Sequence, residues 1–245
     1  LIEAKSLLGA VVLPSYNETH SISKLILDLD LSLPPHWHMV VVDDSPNDDT
    51  YEYVLKAFNK ASRDASNLHI LRNEGKSGRG AAVQRGMSFC INYLKPDFIV
   101  EMDSDGSHTV DSVMQLVHAP KTQEFVIGSR YVKGSRIDGW PLLRRVFSIL
   151  TNKVLRLAFR SQLSDWTNGL RRYSTNASLI QLDHKFINKG FICLSEQVLL
   201  LGKHGIHPIE VPILFVDRTH GASTITHMEI LQSVRGILGL YRHWR

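Results

Sequence analysis

Three short apolar runs in the first hundred residues each stop abruptly at polar or acidic side chains. Ala10-Val11-Val12-Leu13 runs into Pro14-Ser15-Tyr16-Asn17-Glu18, Met39-Val40-Val41-Val42 runs into Asp43-Asp44-Ser45-Pro46, and a run closing on Val100 meets Glu101-Met102-Asp103-Ser104-Asp105-Gly106. Short continuous runs bounded by turn residues read as parallel strands buried on both faces. Helical patterns follow over residues 21–31, 51–65, 80–94 and 110–118, with Pro34 and Pro96 as stops, and further strands read at 68–71 and 125–129. The second half holds a long basic helix, a loop at 164–169, helices near 177–182 and 196–204, an extended run at 206–215 and a terminal helix. The βα alternation predicts an α/β fold with a mostly parallel central sheet and a Rossmann-like nucleotide-binding half. No repeat or linker interrupts it, so residues 1–245 read as one domain: about 8–130 for a nucleotide, about 131–245 for an acceptor and an interface. Ligands of such sheets collect at the carboxyl ends of strands. Three polar strand ends therefore describe one mouth.

Charge changes the picture of the second half. The formal net charge of +4 is modest, but Arg130, Lys133, Arg136, Arg144, Arg145, Lys153, Arg156, Arg160, Arg171 and Arg172 share a stretch whose only acids are Asp138 and Asp165. Such a block suits anionic partners. These cations interleave with Leu142, Leu143, Val146, Leu150, Val154 and Leu157, and residues 228–242 have a similar character. Two basic amphipathic helices favour a bilayer interface over nucleic acid. No window approaches the ~20 uninterrupted apolar residues of a spanning helix, which predicts a peripheral protein unless a segment lies beyond Arg245. A composition of 43% hydrophobic and 21% charged residues supports an ordinary core, and Cys90 and Cys193, each among apolar neighbours, read as buried free thiols.

The chemistry concentrates at Asp103-Ser104-Asp105. Two carboxylates one residue apart at a strand end offer hard oxygen ligands to Mg²⁺ or Mn²⁺, ions that commonly bind phosphates at the same time. Competing motifs fall away. Gly75-Lys76-Ser77 resembles a P-loop tail, but Ile70 stands where that motif needs Gly, and no Gly-x-Gly-x-x-Gly follows the first strand. Gly75, Gly78 and Gly80 read as a loop at the mouth with Lys76 and Arg79 available to an anion. The twelve histidines show no zinc-binding spacing, and His108 is the one worth testing because it closes the acidic segment.

These segments carry a family resemblance. Pro14-Ser15-Tyr16-Asn17-Glu18, Asp43-Asp44-Ser45-Pro46, Gly75-Lys76-Ser77-Gly78-Arg79-Gly80, Met102-Asp103-Ser104-Asp105, Gly128-Ser129-Arg130-Tyr131 and Phe215-Val216-Asp217-Arg218 occur in the order seen in glycosyltransferase family 2. Trp140 with Arg144, Ser148 and Asn152, and Ser164-Asp165-Trp166-Thr167, make the chain similar to the dolichyl-phosphate mannosyltransferase branch. The resemblance implies a GT-A fold and inverting transfer of mannose from GDP-mannose to dolichyl or another polyprenyl phosphate. It implies that Pro14, Tyr16, Asn17, Glu18, Val42, Asp44, Lys76 and Ser104 hold the nucleotide sugar. Asp103 and Asp105, with Ser107, would manage the metal; Arg130 and Arg218 would act on donor phosphates; Arg144 and Ser148 would face the acceptor phosphate. The cytosolic face of the endoplasmic reticulum, or the cytoplasmic membrane of a prokaryote, is the implied location, with small membrane-anchoring subunits as implied partners. Thr224 stands where the family commonly has Lys, removing a positive charge. A polyprenyl-phosphate glucosyltransferase using UDP-glucose and a catalytically weak scaffold subunit stay open as alternatives.

A phosphate acceptor fits this inventory chemically. A sugar hydroxyl must lose a proton during attack and usually needs a general base. A phosphate oxygen is already anionic, so the requirement shifts to cations that bring two anions together.

Overall fold

The computed structural model describes residues 7–19, 21–73, 77–187, 192–217 and 227–244, with side chains from 234 onward in the last of these segments. In chain order the elements are β1 (Gly9–Ser15), α1 (Ile22–Ser32), β2 (Trp37–Asp43), α2 (Asp49–Phe58), β3 (Leu68–Arg72), α3 (Arg79–Phe89), β4 (Phe98–Glu101) and α4 (Val110–Val117). Then follow β5 (Phe125–Ser129), β6 (Arg136–Asp138), α5 (Leu142–Ala158), β7 (Arg171–Ser174), α6 (Thr175–Asp183), α7 (Ile192–Lys203), β8 (Ile209–Pro212), β9 (Leu214–Val216) and α8 (His227–Trp244). Seven strands form one sheet in the order β3-β2-β1-β4-β7-β5-β8, and β6 and β9 form a small parallel pair beside it.

The apolar runs behave as their composition dictates. Alternate side chains of β1 and β2 point to opposite faces. Val11, Leu13, Met39 and Val41 join a core with α1, α2 and α4, whereas Ala10, Val12, Val40 and Val42 join a second core with α3 and α5 to α8. Strands covered on both faces need no polar alternation, which is why they read as unbroken runs.

β7 has no such run. It lies antiparallel between β4 and β5 and carries Arg171 and Arg172, both fully buried. Arg172 caps the end of α4, donating to the carbonyls of Leu116, Ala119, Pro120 and Gln123 at 2.8–3.1 Å, and its guanidinium lies 4.2 Å from the Phe98 ring centroid. Arg171 donates to the carbonyls of Trp166, Asn168 and Leu194 and to Gln197 Oε1. The expectation that the whole basic block faces an anionic partner is thus corrected: these two cations are structural, because buried guanidinium groups collect main-chain carbonyls.

One helix boundary differs from expectation, and another meets it by an irregular turn. The helix expected over 51–65 ends at Phe58, because the Asp30 carboxylate takes the amides of Ser62 and Arg63 and draws the chain back toward α1. α3 continues through a π turn at Cys90–Leu94 that Lys95 closes in the left-handed conformation, just before Pro96. Cys90 and Cys193 are free and buried, and burial pushes both thiols up to about 12.

Gly86 lets α3 lie against the sheet. A Cβ there would fall 2.4 Å from Val12 Cγ1 and 3.1 Å from Val42 Cγ2, both stiff β-branched side chains. Gly86→Ala gains about 1 kcal/mol of helix propensity, against about 1–3 kcal/mol of overpacking. Urea unfolding is expected to show a net loss of stability and no gain.

Candidate active site

A cleft of about 240 Å³ opens at the carboxyl ends of β1, β2 and β4. Pro14, Ser15, Tyr16 and Glu18 line it from the end of β1, Asp44 from the end of β2, and Asp103, Ser104 and Asp105 from the end of β4, while Gly78, Arg79 and Ala82 reach it from the start of α3. Hydrogen bonds sew these loops together. Ser104 Oγ donates to the Pro14 carbonyl at 2.7 Å, and Ser21 Oγ reaches Glu18 Oε2 at 2.7 Å and the Ser104 carbonyl at 2.9 Å. The amides of Asn17 and Glu18 donate to Ser45 Oγ and Thr50 Oγ1, with Asn17 in the left-handed region at φ 56°. Val42 lies behind the cleft, its side chain wholly in the core.

Asp44 organises the rim. Its Oδ1 accepts from Asn73 Nδ2 and Ser77 Oγ, each at 2.6 Å, and its Oδ2 accepts the amides of Ser77 and Gly78 at 2.9 and 2.7 Å. Burial would raise its pKa, but these donors outweigh burial and hold the carboxyl below its usual range. Four donors fill the four sites of a carboxylate. A base that hydrogen-bonds Asp44 must therefore displace one of them.

Asp103 sits in a different environment. Arg79 Nε lies 2.5 Å from its Oδ1, and His108 Nε2 lies 3.6 Å from its Oδ2. Burial opposes ionisation, yet the Arg79 guanidinium pulls the Asp103 pKa far down. Burial likewise works against the charge on Arg79, but Asp103 and Glu101 raise its pKa. Beneath them Glu101 is fully buried, accepts from the Tyr173 hydroxyl at 3.1 Å and has its pKa pushed up by burial. Arg79 was expected to be available to an anion from a mouth loop. It opens α3 and lines the cleft, its guanidinium drawn onto Asp103 by the carboxylates of Glu101 and Asp103 at the end of β4.

A second polar array adjoins the cleft. Arg130 donates from Nε and Nη2 to the two oxygens of Asp165 at 2.7 Å each, and from Nη2 to Thr167 Oγ1 at 2.9 Å, with both ion-pair partners buried. Its guanidinium lies 5.2–5.6 Å from the ring centroids of Trp140, Tyr131 and Phe215. Arg144 lies 4.2 Å from the Trp140 centroid and pairs with Asp217 at 2.6 Å, while Ser148 accepts from the Tyr131 hydroxyl at 2.6 Å. Phe215 meets the rings of both His108 and Trp140 edge-on, joining the array to the acidic cleft. The expected residues thus form two adjoining groups, one acidic and one guanidinium-rich. Lys76 and Arg218 lie outside the described residues.

Three contributors carried no assigned role in the sequence. Asp165 orients Arg130, Glu210 accepts the amides of Ser164 and Asp165 at 2.8 and 2.9 Å, and Gly169 offers its carbonyl to Arg79 at 3.1 Å. Lone residues on long-range partners leave no periodic signal. A larger groove of about 640 Å³ between α7, β8 and the ends of α5 and α8 is lined by none of the expected residues.

The residues suit a divalent cation shared with a ligand. Asp103, Asp105 and Ser107 supply only oxygens, and Ser107 Oγ is buried without a hydrogen-bond partner. No group of three or more His, Cys, Asp or Glu among the described residues is placed to hold a metal ion by itself. An incomplete oxygen set that leaves room for phosphate oxygens is the usual protein contribution to a Mg²⁺ site.

The Arg130–Asp165 pair yields a stability prediction. Burial would raise the Asp165 pKa, but Arg130 and the surrounding amides lower it below the usual value. Its contribution to stability is complete above the unfolded value of about 4 and is lost as pH falls through the still lower folded value. Asp165→Ala should cost about 3–5 kcal/mol at pH 7 by leaving a buried guanidinium unpaired. Urea melts should also show a weaker acid dependence than wild type below pH 4.

Comparison with known proteins agrees with this geometry. The Glycosyl transferase family 2 model matches residues 10–183. An undecaprenyl-phosphate mannosyltransferase of Micrococcus luteus is 31% identical over 236 residues, which is 95% of this chain and 94% of that one. A polyprenol monophosphomannose synthase of Mycolicibacterium smegmatis is 30% identical over 91% of this chain and 83% of its own. Among solved structures, glucosyl-3-phosphoglycerate synthase from Mycobacterium tuberculosis with Mn²⁺, UDP and glucosyl-3-phosphoglycerate superposes with a TM-score of 0.66 at 16% identity, over 98% of this chain and 80% of that chain. A mannosyltransferase from Pyrobaculum calidifontis in complex with GDP-Man and Mn²⁺ gives 0.61 at 17% identity, over 90% of this chain and 59% of that one. The expected GT-A fold is the fold observed. With a matching domain over most of its length and relatives along nearly all of it, this chain belongs to glycosyltransferase family 2.

Proposed function

We propose that the chain transfers mannose from GDP-mannose to dolichyl or another polyprenyl phosphate, inverting the anomeric centre to give a β-linked lipid-phosphate mannose. One observation carries the reading: an acidic, oxygen-rich cleft lies against a guanidinium and aromatic array, joined through His108, Phe215 and Trp140. That pairing suits a donor diphosphate on one side and an anionic acceptor on the other. The mannosyltransferase names of the curated relatives point to the same chemistry.

Pro14, Tyr16, Asn17 and Glu18 hold the nucleoside side of the cleft, and Asp44 contributes by exchanging one of its loop donors. Asp103, Asp105 and Ser107 would hold Mg²⁺ or Mn²⁺, which when bound offsets the charge of the departing diphosphate. Arg144 and Ser148 receive the acceptor phosphate; Arg suits this role because its planar fork matches two phosphate oxygens. Arg130, held by Asp165 and surrounded by rings, is a positioned guanidinium at their side. Arg218 and Lys76 add charge at the donor phosphates. The acceptor oxygen attacks directly, and no proton has to be removed from it.

The lipid reaches the site from a membrane surface. α5 buries only Asn152 and Leu155, whereas Leu143, Leu150 and Leu157 are 74%, 55% and 78% exposed, with Leu142, Val146 and Val154 also outward. Arg145, Lys153, Arg156 and Arg160 are exposed on the same helix or at its end. An outward apolar stripe flanked by cations lies in a bilayer interface and not in water. No helix among the described residues is long and apolar enough to cross a membrane. We assign the chain to the cytosolic face of the endoplasmic reticulum, or to the cytoplasmic membrane in a prokaryote, with small anchoring subunits as partners.

Purified protein with Mn²⁺, a short polyprenyl phosphate and radiolabelled GDP-mannose is expected to give an acid-labile lipid product of β configuration, and UDP-glucose is not expected to replace the donor. An α-linked product, or full turnover in chelator, would overturn the reading. Asp105→Ala should lower kcat/KM by about 10²-fold or more while vesicle binding persists. Leu150→Glu with Leu157→Glu should weaken sedimentation with anionic vesicles by roughly 10-fold or more, since each buried Leu is worth ~1.5–3 kcal/mol.

A further inference from the structure

The cleft already contains a cation. Arg79 places Nε on Asp103 Oδ1 at 2.5 Å and Nη2 on the Gly169 carbonyl at 3.1 Å. Gly169 is what admits it: a Cβ there would fall 2.5 Å from Arg79 Nη2 and 3.1 Å from Asp103 Oδ2. The guanidinium is also the counter-charge for Glu101, whose buried Oε2 has no hydrogen-bond partner. The inward pose of Arg79 is therefore held by the Asp103 carboxylate and the Gly169 carbonyl, with Glu101 adding negative charge nearby. Arg79 takes one site on Oδ1 of Asp103, while Oδ2 faces His108.

Resting on the transferase reading above, we infer that Arg79 is a resident counter-cation that occupies one oxygen of Asp103, keeps divalent metal affinity low in the free chain, and makes metal enter together with the nucleotide diphosphate. A divalent ion approaching Asp103 and Asp105 alone meets a guanidinium on the same carboxylate, and like charges repel strongly in a partly buried cleft. A diphosphate removes the obstacle. Its oxygens accept from the guanidinium and ligate the metal at once, so donor and metal each make room for the other. Arg79 is thereby a residue that sets the order of ligand binding and competes with the metal for Asp103.

The test measures Mn²⁺ binding by calorimetry or electron paramagnetic resonance, with and without GDP, in wild type, Arg79→Leu and Arg79→Gln. In wild type, GDP and Mn²⁺ should raise each other's affinity by the same factor, within the roughly 5–150-fold range of coupled sites. Arg79→Leu should bind Mn²⁺ alone about 10-fold or more tightly than wild type and lose most of that coupling. If Arg79→Leu does not fold, Arg79→Gln decides the matter, because it removes the charge while keeping a polar side chain beside Asp103. Wild-type binding of Mn²⁺ with GDP, but no gain of Mn²⁺ affinity in the folded variant, would overturn the inference and leave the metal site intact. Failure of wild type to bind Mn²⁺ even with GDP would overturn the metal site, and the inference with it.

Discussion

Carboxylates at the tip of one strand, and the guanidinium groups that neutralise them, are the constraint on which the site depends. β4 carries Glu101 into the interior and Asp103 to the edge of the cleft. An uncompensated charge at either place would cost several kcal/mol. Arg79 from the start of α3 and Arg171 from β7 supply the compensation for Glu101, so two distant parts of the chain must dock on β4 before its end is electrostatically tolerable. Gly86, which brings α3 close, and Gly169, which admits the guanidinium, serve the same requirement. The cleft is the opening left where that docking ends.

Much of this was legible in the chain. β1, β2 and β4 announced themselves because they are covered on both faces, and the polar residues after each run reached one mouth because parallel strands share a carboxyl end. β7 was illegible for the opposite reason. Arg171-Arg172-Tyr173-Ser174 has the look of a surface segment, and only long-range carbonyls from α4, α7 and the loop before β7 make its arginines compatible with a core. The end of α2 was hidden likewise, since Asp30, 32 residues earlier than Ser62, decides it. Arg79 could be read as a cation near the mouth, but its inward direction follows from Glu101 and Asp103 and not from its neighbours in sequence. Local pattern gave the frame, while pairings across the chain gave the charge balance.

The two polar groups differ in how firmly they are held. Arg130 is over-determined, with two oxygens of Asp165, Thr167 and three rings around it. Asp165 in turn is aimed by Glu210 through its own amide and that of Ser164. A guanidinium held this way stays in place without reorganising when a ligand enters beside it. α5 is held more lightly: few of its side chains are buried, and its apolar stripe faces outward. Rigid chemistry beside a loosely packed, outward-facing helix suits a catalyst whose acceptor has a soluble head and an insoluble tail.

The antiparallel insertion of β7 has a consequence for how the chain is made. β4 and β5 are not neighbours in the sheet, and the strand that separates them is encoded about forty residues after β5. During synthesis the four N-terminal strands can assemble first, but the open side of β4 exposes unpaired main-chain groups until β7 leaves the ribosome. Exposed strand edges template misassociation. The nascent polypeptide therefore has a window of vulnerability that closes only when two arginines slide into the middle of the sheet.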